Sequence, residues 1–216
     1  MRTLMQNTLY TPGSERSGLL RILAVIAFAG VLALVLGVLI GPFVVPAEYN
    51  WISDSISDLA AGQGEIVMDV ALYGFAGALF ALALAAAHSH LGGDGWTAAI
   101  FCLVLLAGLV VVIGARNEYG DNDTGGVVIH SYLVYALGVL FAAVPVLMSA
   151  GAGREIAWAR PVLLGLAVLW VISSAIYLLS PDHIDGLTER LAGLVACAIV
   201  LVLGAVFRSR GRYPRR

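Results

Sequence analysis

The sequence contains no lysine, so its twelve basic side chains other than histidine are all arginine. Charged residues make up only 12% of its 216 positions, about half the share of a soluble domain. Cysteine occurs twice, at Cys102 and Cys197, each in the middle of a separate apolar run. That spacing offers no disulfide framework, redox pair or thiolate metal site and leaves buried packing as the role of each. No phosphate-binding glycine loop, Gly-x-Ser-x-Gly elbow or CxxCH haem attachment is present. Nucleic-acid binding has no support beyond an arginine tail that membrane topology already explains. Together with abundant alanine and glycine, the missing lysine points to a high-GC, bacterial genome.

What the sequence has in quantity is apolar length. Hydrophobic residues make up 60% of the chain, and the mean hydropathy is +0.93. Crossing a hydrocarbon core of roughly 30 Å takes about 20 apolar residues. Six runs qualify: Ile22 to Val45, Ile66 to Ala87, Trp96 to Ala115, Val127 to Ala150, Pro161 to Ser180 and Leu191 to Phe207. In lipid the backbone must satisfy its own hydrogen bonds, so these runs predict helices. The expected fold is therefore all-α, a polytopic transmembrane bundle of about six helices with no soluble domain. Its parts are a cytoplasmic N-terminal segment over 1–20, the transmembrane domain over 21–208 and a basic cytoplasmic tail over 209–216. The first run is too long for a cleavable signal and lacks a small-residue cleavage site, so it is expected to stay as an anchor.

Arginine sets the orientation. Arg2, Arg16 and Arg21 precede the first span, Arg154 and Arg160 lie between the fourth and fifth, and Arg208, Arg210, Arg212, Arg215 and Arg216 follow the sixth. With six spans these regions share one side, which predicts cytoplasmic termini and insertion in the plasma membrane. The tail also suits anionic lipid headgroups. The opposite face carries the acids, among them Glu48, Asp54, Asp58, Asp182, Asp185 and Glu189. Gly37 with Gly41, and Gly74 with Gly77, permit close helix approach, either within the bundle or at a contact with a partner or a second copy. No internal repeat suggests an inverted-repeat transporter.

Chemistry-bearing residues gather toward the acidic face. In Trp51 to Leu59, Ile52, Ile56 and Leu59 recur at helical spacing, which predicts a short amphipathic helix at the membrane surface with Trp51 as its anchor. Ser55 followed by Asp58 resembles a helix-start signal. Asp69 lies about one turn into the second span and shares a face with Tyr73; an ionisable residue there turns to the bundle or to a wet cavity. His130 opens the fourth span. Ser173, Tyr177 and Ser180 form a polar stripe on the fifth, which leads to His183. The candidate vestibule is therefore Ser55, Ser57, Asp58, Asp69, Tyr73, His130, Tyr177 and His183. His88 and His90 lie on the other side and are expected to be solvated.

No cofactor is predicted. A divalent metal is an alternative, held by His130, His183, Asp58 and Asp69, although no paired-histidine spacing ties two ligands to one helix. Asp121, Asn122 and Asp123 suggest a calcium loop, but its remaining ligands are missing.

The segment Ser55-Ile56-Ser57-Asp58-Leu59-Ala60 before the second span, together with Ile129-His130 at the start of the fourth, resembles the membrane family known as domain of unknown function 998. The resemblance covers helix 1 to helix 6 and touches Ser55, Ser57, Asp58 and His130. Ala60 stands where that family usually has glycine, and the stretch from Asn117 to Val128 lacks the family's usual proline. The resemblance implies a six-span bundle and no assigned activity. Three function classes stay open. One is an accessory or lipid-organising protein with a polar outward vestibule, another a transporter or lipid-headgroup binder, and the third a metal-dependent hydrolase of a lipid or lipid-linked substrate. The expected partners are membrane lipids, with a membrane-protein partner or a homo-oligomer as further options and no nucleic acid.

Overall fold

The computed structural model describes residues 15–45, 49–60, 64–89, 91–115 and 129–212, with the side chains of 115 and 129–131 left outside that description. The fold is all-helical. Helix α1 spans Ser17–Ile40, α2 Glu65–Ser89, α3 Trp96–Ala115, α4 Ile129–Glu155, α5 Ala159–Leu179 and α6 Asp185–Arg212. Short 3₁₀ turns occupy Gly41–Phe43, Ser57–Ala60 and Asp182–Ile184. Among the described residues, six helices are long and apolar enough to cross a membrane. The shortest, α3, has 20 residues, about 30 Å of helical rise.

The helices follow one another around the bundle, and α6 closes the ring against α1. Helices α2 and α6 also touch each other, and they are the most deeply buried spans. The core reflects this arrangement: Leu79 and Leu82 of α2 and Val200 and Leu203 of α6 are fully covered. Rings bridge the helices, with Phe75 stacked on Phe141 at 6.3 Å and Phe141 tilted on Trp170 at 4.9 Å. The other faces stay apolar and exposed, such as Ile22 and Val25 on α1 and Val168 and Ile172 on α5. Lipid can cover that surface where water cannot.

Glycine sets the closest seam, between α1 and α2. A Cβ at Gly30 would collide with the Gly74 carbonyl oxygen and come within 2.7 Å of the Ala78 Cβ. One at Gly74 would meet the Ala33 Cβ at 3.1 Å. Gly37 faces Ala71 in the same seam, and Gly41 sits against Leu59. These small residues therefore serve packing within the bundle. At Gly77 a Cβ would meet nothing within 4 Å.

The two ends of the bundle differ. At the terminal end Arg210 donates to Glu15 at 2.7 Å and to Glu155 at 3.3 Å, so the start of α1, the end of α4 and the end of α6 meet there. Arg154 caps the turn before α3 by donating to the Leu91 carbonyl at 2.7 Å. His88, expected to be solvated, accepts the Arg16 amide at 2.7 Å, because the last turn of α2 lies beside the start of α1. His90 lies outside the described residues. Cys197 is buried and Cys102 partly buried, both as free thiols.

Candidate functional site

The opposite end, called here the loop end, is organised by residues 49–60. This segment is a run of turns ending in the 3₁₀ turn, so its helical portion is confined to Ser57–Ala60. Its bends are held by short polar side chains. Asn50 Oδ1 accepts the Ile52 amide at 3.0 Å, and Asp54 Oδ2 accepts the Asn50 amide at 2.7 Å. Ser55 and Asp58 cap each other. The Ser55 amide and hydroxyl donate to Asp58 Oδ2 at 2.7 and 2.8 Å, and the Asp58 amide donates to Ser55 Oγ at 3.1 Å. This is the reciprocal logic of a capping box on a very short turn. It places Leu59, fully buried, under Gly41. Replacing Asp58 with alanine is expected to lower stability by about 1 kcal/mol, with asparagine costing less, as thermal unfolding in detergent would measure.

The loop is fastened to the first turns of α6. The Gly186 and Leu187 amides, which have no partner within their own helix, donate to the Ser53 and Ile52 carbonyls at 3.3 and 3.1 Å. Arg190 completes the junction. Its guanidinium donates to the Asp54 carbonyl at 3.0 Å, the Gly186 carbonyl at 2.7 Å and the Tyr49 hydroxyl. It also lies 5.1 Å from the Trp51 ring centre, within cation–π range. Tyr49 in turn donates to the Ser55 carbonyl at 2.8 Å. Burial pushes the Tyr49 phenol up from its ordinary value, and Arg190 opposes that shift. The hydroxyl therefore keeps the proton that its donor role needs.

Glu189 points the other way. Its Oε2 accepts the Ile56 amide at 2.5 Å, and the side chain lines a cavity of about 530 Å³ inside the loop-end half of the bundle. Phe75, Val110, Phe141, Trp170 and Ala196 form the apolar walls. Polar groups are few: Ser57, Tyr135, Ser174, Tyr177 and Glu189. Among the described residues, Glu189 is the only charged side chain in the lining. The lining also includes exposed residues of α4 and α5, namely Tyr135, Val139, Val171 and Leu178. The cavity is therefore bordered by the outer surface of these two helices. The Trp170 indole is fixed by donating to the Gly138 carbonyl at 2.8 Å.

The eight vestibule candidates separate. Ser57 and Tyr177 line the cavity. Ser55 and Asp58 are occupied by their mutual cap. Tyr73 is 42% exposed, with its ring near Gly114 of α3. Asp69 is partly buried near the start of α2 and is not part of the cavity lining. His183 is exposed in the turn before α6. His130 stands in the first turn of α4, and its side chain lies outside the described residues. On α5 the stripe divides as well. Ser173 donates to the Trp170 carbonyl at 3.1 Å and Ser180 to the Tyr177 carbonyl at 2.8 Å, while Ser174 takes a place in the cavity. Among the described residues, no group of three or more His, Cys, Asp or Glu side chains is placed to hold a metal ion. Residues 121–123, the calcium-loop candidate, lie outside the described residues.

Glu189 and Arg190 are the residues that sequence reasoning missed as site residues, because it started the sixth helix at Leu191. The helix begins at Asp185, and the signal was present: Asp185 is an acid of the kind expected in an opening turn, and Glu189 follows four residues on, on the same face.

Six membrane-length helices around a polar-tipped apolar cavity define a polytopic α-helical membrane protein. Residues 23–206 match the model of the family described as Protein of unknown function (DUF998). The chain belongs to that family, as the Ser55 to Ala60 segment led us to expect. No curated protein and no solved structure matches it.

Proposed function

We propose that this protein binds a single-chain membrane amphiphile, with the hydrocarbon chain in the cavity and the polar end at Glu189, Tyr177 and Ser57. The carrying observation is the cavity itself, whose walls are mainly apolar and which carries Ser57, Tyr177 and Glu189 from the first loop, α5 and α6. Its size falls within the range of small-molecule sites, about 300–1,000 Å³. Because exposed α4 and α5 residues border it, an acyl chain can enter sideways from the bilayer without crossing water. The lipid-organising and headgroup-binding roles, separate classes when read from sequence, come together in such a site. Arginine at the terminal end supports cytoplasmic termini in the plasma membrane, which puts the polar tip of the cavity near the outer face.

Gly138 offers the test. It lines the cavity, and a Cβ there meets nothing within 4 Å. Gly138→Leu should fill the space while leaving the Trp170 bond to the backbone intact. Binding of lauryl alcohol to the purified protein is expected to weaken by about tenfold or more, with an unchanged unfolding midpoint. Equal binding by wild type and Gly138→Leu would refute the assignment.

A further inference from the structure

The composition of the polar end carries a second step, which rests on the amphiphile reading above. Glu189 is the only charged lining side chain among the described residues. Its neighbour Arg190 attracts it through space but makes no ion pair with it. The Arg190 guanidinium is committed to Asp54, Gly186 and Tyr49, and neither ion pair among the described residues involves Glu189. The single hydrogen bond to the Glu189 carboxylate among those residues comes from the Ile56 amide, a neutral donor. A carboxylate facing an apolar space is costly unless a cation or further donors complete it. Tyr177 and Tyr135 line the same cavity, and aromatic rings attract cations. The Ser180–Thr188 contact at 3.0 Å holds the last turn of α5 against the first turns of α6, bringing Tyr177 alongside Glu189.

We propose that the cavity selects amphiphiles whose polar end is an ammonium group, with Glu189 as its counter-ion and Tyr177 beside it. A carboxylate or phosphate placed directly at the tip would meet like charge from Glu189. A simple alkylamine and the ethanolamine headgroup of a lysophospholipid both present the required group on a single chain.

Competition binding on the intact protein in neutral detergent tests this. The probes are lauryl amine, lauryl alcohol, lauric acid and lysophosphatidylethanolamine. Lauryl amine, lysophosphatidylethanolamine or both should bind about tenfold or more tightly than lauryl alcohol, and lauric acid most weakly. Whichever ammonium probe binds more tightly identifies the source. Glu189→Gln keeps an acceptor for the Ile56 amide and should erase the preference for the ammonium probes over lauryl alcohol. If the alcohol binds and the ammonium probes gain nothing over it, or if lauric acid binds best, cation selection is overturned and the amphiphile site stands. If no probe binds, the amphiphile site itself falls. The wild-type probe series decides these outcomes even if the variant fails to fold.

Discussion

Replacing Arg190 with methionine will destabilise the protein by about 3 kcal/mol and open the first loop to protease. Arg190 is only 9% exposed and donates to two backbone carbonyls and one hydroxyl. Methionine fills much of the same volume but donates nothing, so three acceptors lose a partner in a place water reaches poorly. The cost of about 1–3 kcal/mol for an unsatisfied buried group is reduced here, because the Asp54 carbonyl keeps the Tyr49 hydroxyl at 3.2 Å and the loop can move out to solvent. That movement is why proteolysis should appear together with the stability loss. Arg190→Lys should recover part of the stability, since an ammonium retains the charge but lacks the planar fork that reaches several acceptors at once. Because Glu189 immediately precedes Arg190 and grips Ile56 of the same loop, the polar end of the cavity should loosen as well. Denaturant titration in detergent and limited proteolysis measure both effects. Unchanged unfolding with a protected loop would show that the clamp is incidental.

The second large effect is expected in the α1–α2 seam. Gly30→Val should cost about 3 kcal/mol or prevent folding. The Cβ at this position meets the Gly74 carbonyl and the Ala78 Cβ, which belong to the backbone and to a side chain with no rotamer to change. Relief therefore requires the two helices to separate, which uncovers Ala27 and Val31 in the core beneath. The matched control is Gly77→Ala, where a Cβ meets nothing within 4 Å. It should be neutral or slightly stabilising, because alanine is the better helix former by about 0.5–1 kcal/mol. Comparable losses in both variants would mean that the close approach at Gly30 contributes nothing special.

The spans were legible because crossing lipid imposes a length that apolar runs report directly. Their number and order follow from Ile22 to Phe207 without any knowledge of packing. The ends were less legible. The sixth helix starts at Asp185, six residues before the apolar run at Leu191. Its opening turns are polar because they dock a loop, and a hydropathy pattern does not distinguish a docked acid from a solvated one. Glu189 was therefore placed among loop acids, although it reaches the cavity. The first loop shows the converse. Ile52, Ile56 and Leu59 suggested a surface helix, whereas Asn50 and Asp54 bond to the nearby backbone and favour turns over a continuous helix. The Ser55–Asp58 signal was correct as a cap, and the same bonds occupy Asp58 away from the cavity.

Ser57 and Tyr177 were read as vestibule residues and line the cavity, but its apolar walls were not legible. Each helix is apolar around most of its circumference, so a phenylalanine lining a void and one filling the core have the same neighbours in sequence. Phe75 and Phe141 do both, packing on each other while bordering the space. Which faces leave a gap depends on how α4 and α5 meet α2 and α6, and that is set by shape rather than by periodicity.

The central claim is that a membrane amphiphile occupies this cavity with its polar end at Glu189. A density map of the protein in lipid nanodiscs tests it most directly. Elongated density should enter between α4 and α5, pass Phe141 and Trp170, and end beside Glu189 and Tyr177. A cavity containing only water, or one closed by contact between α4 and α5, would contradict the account.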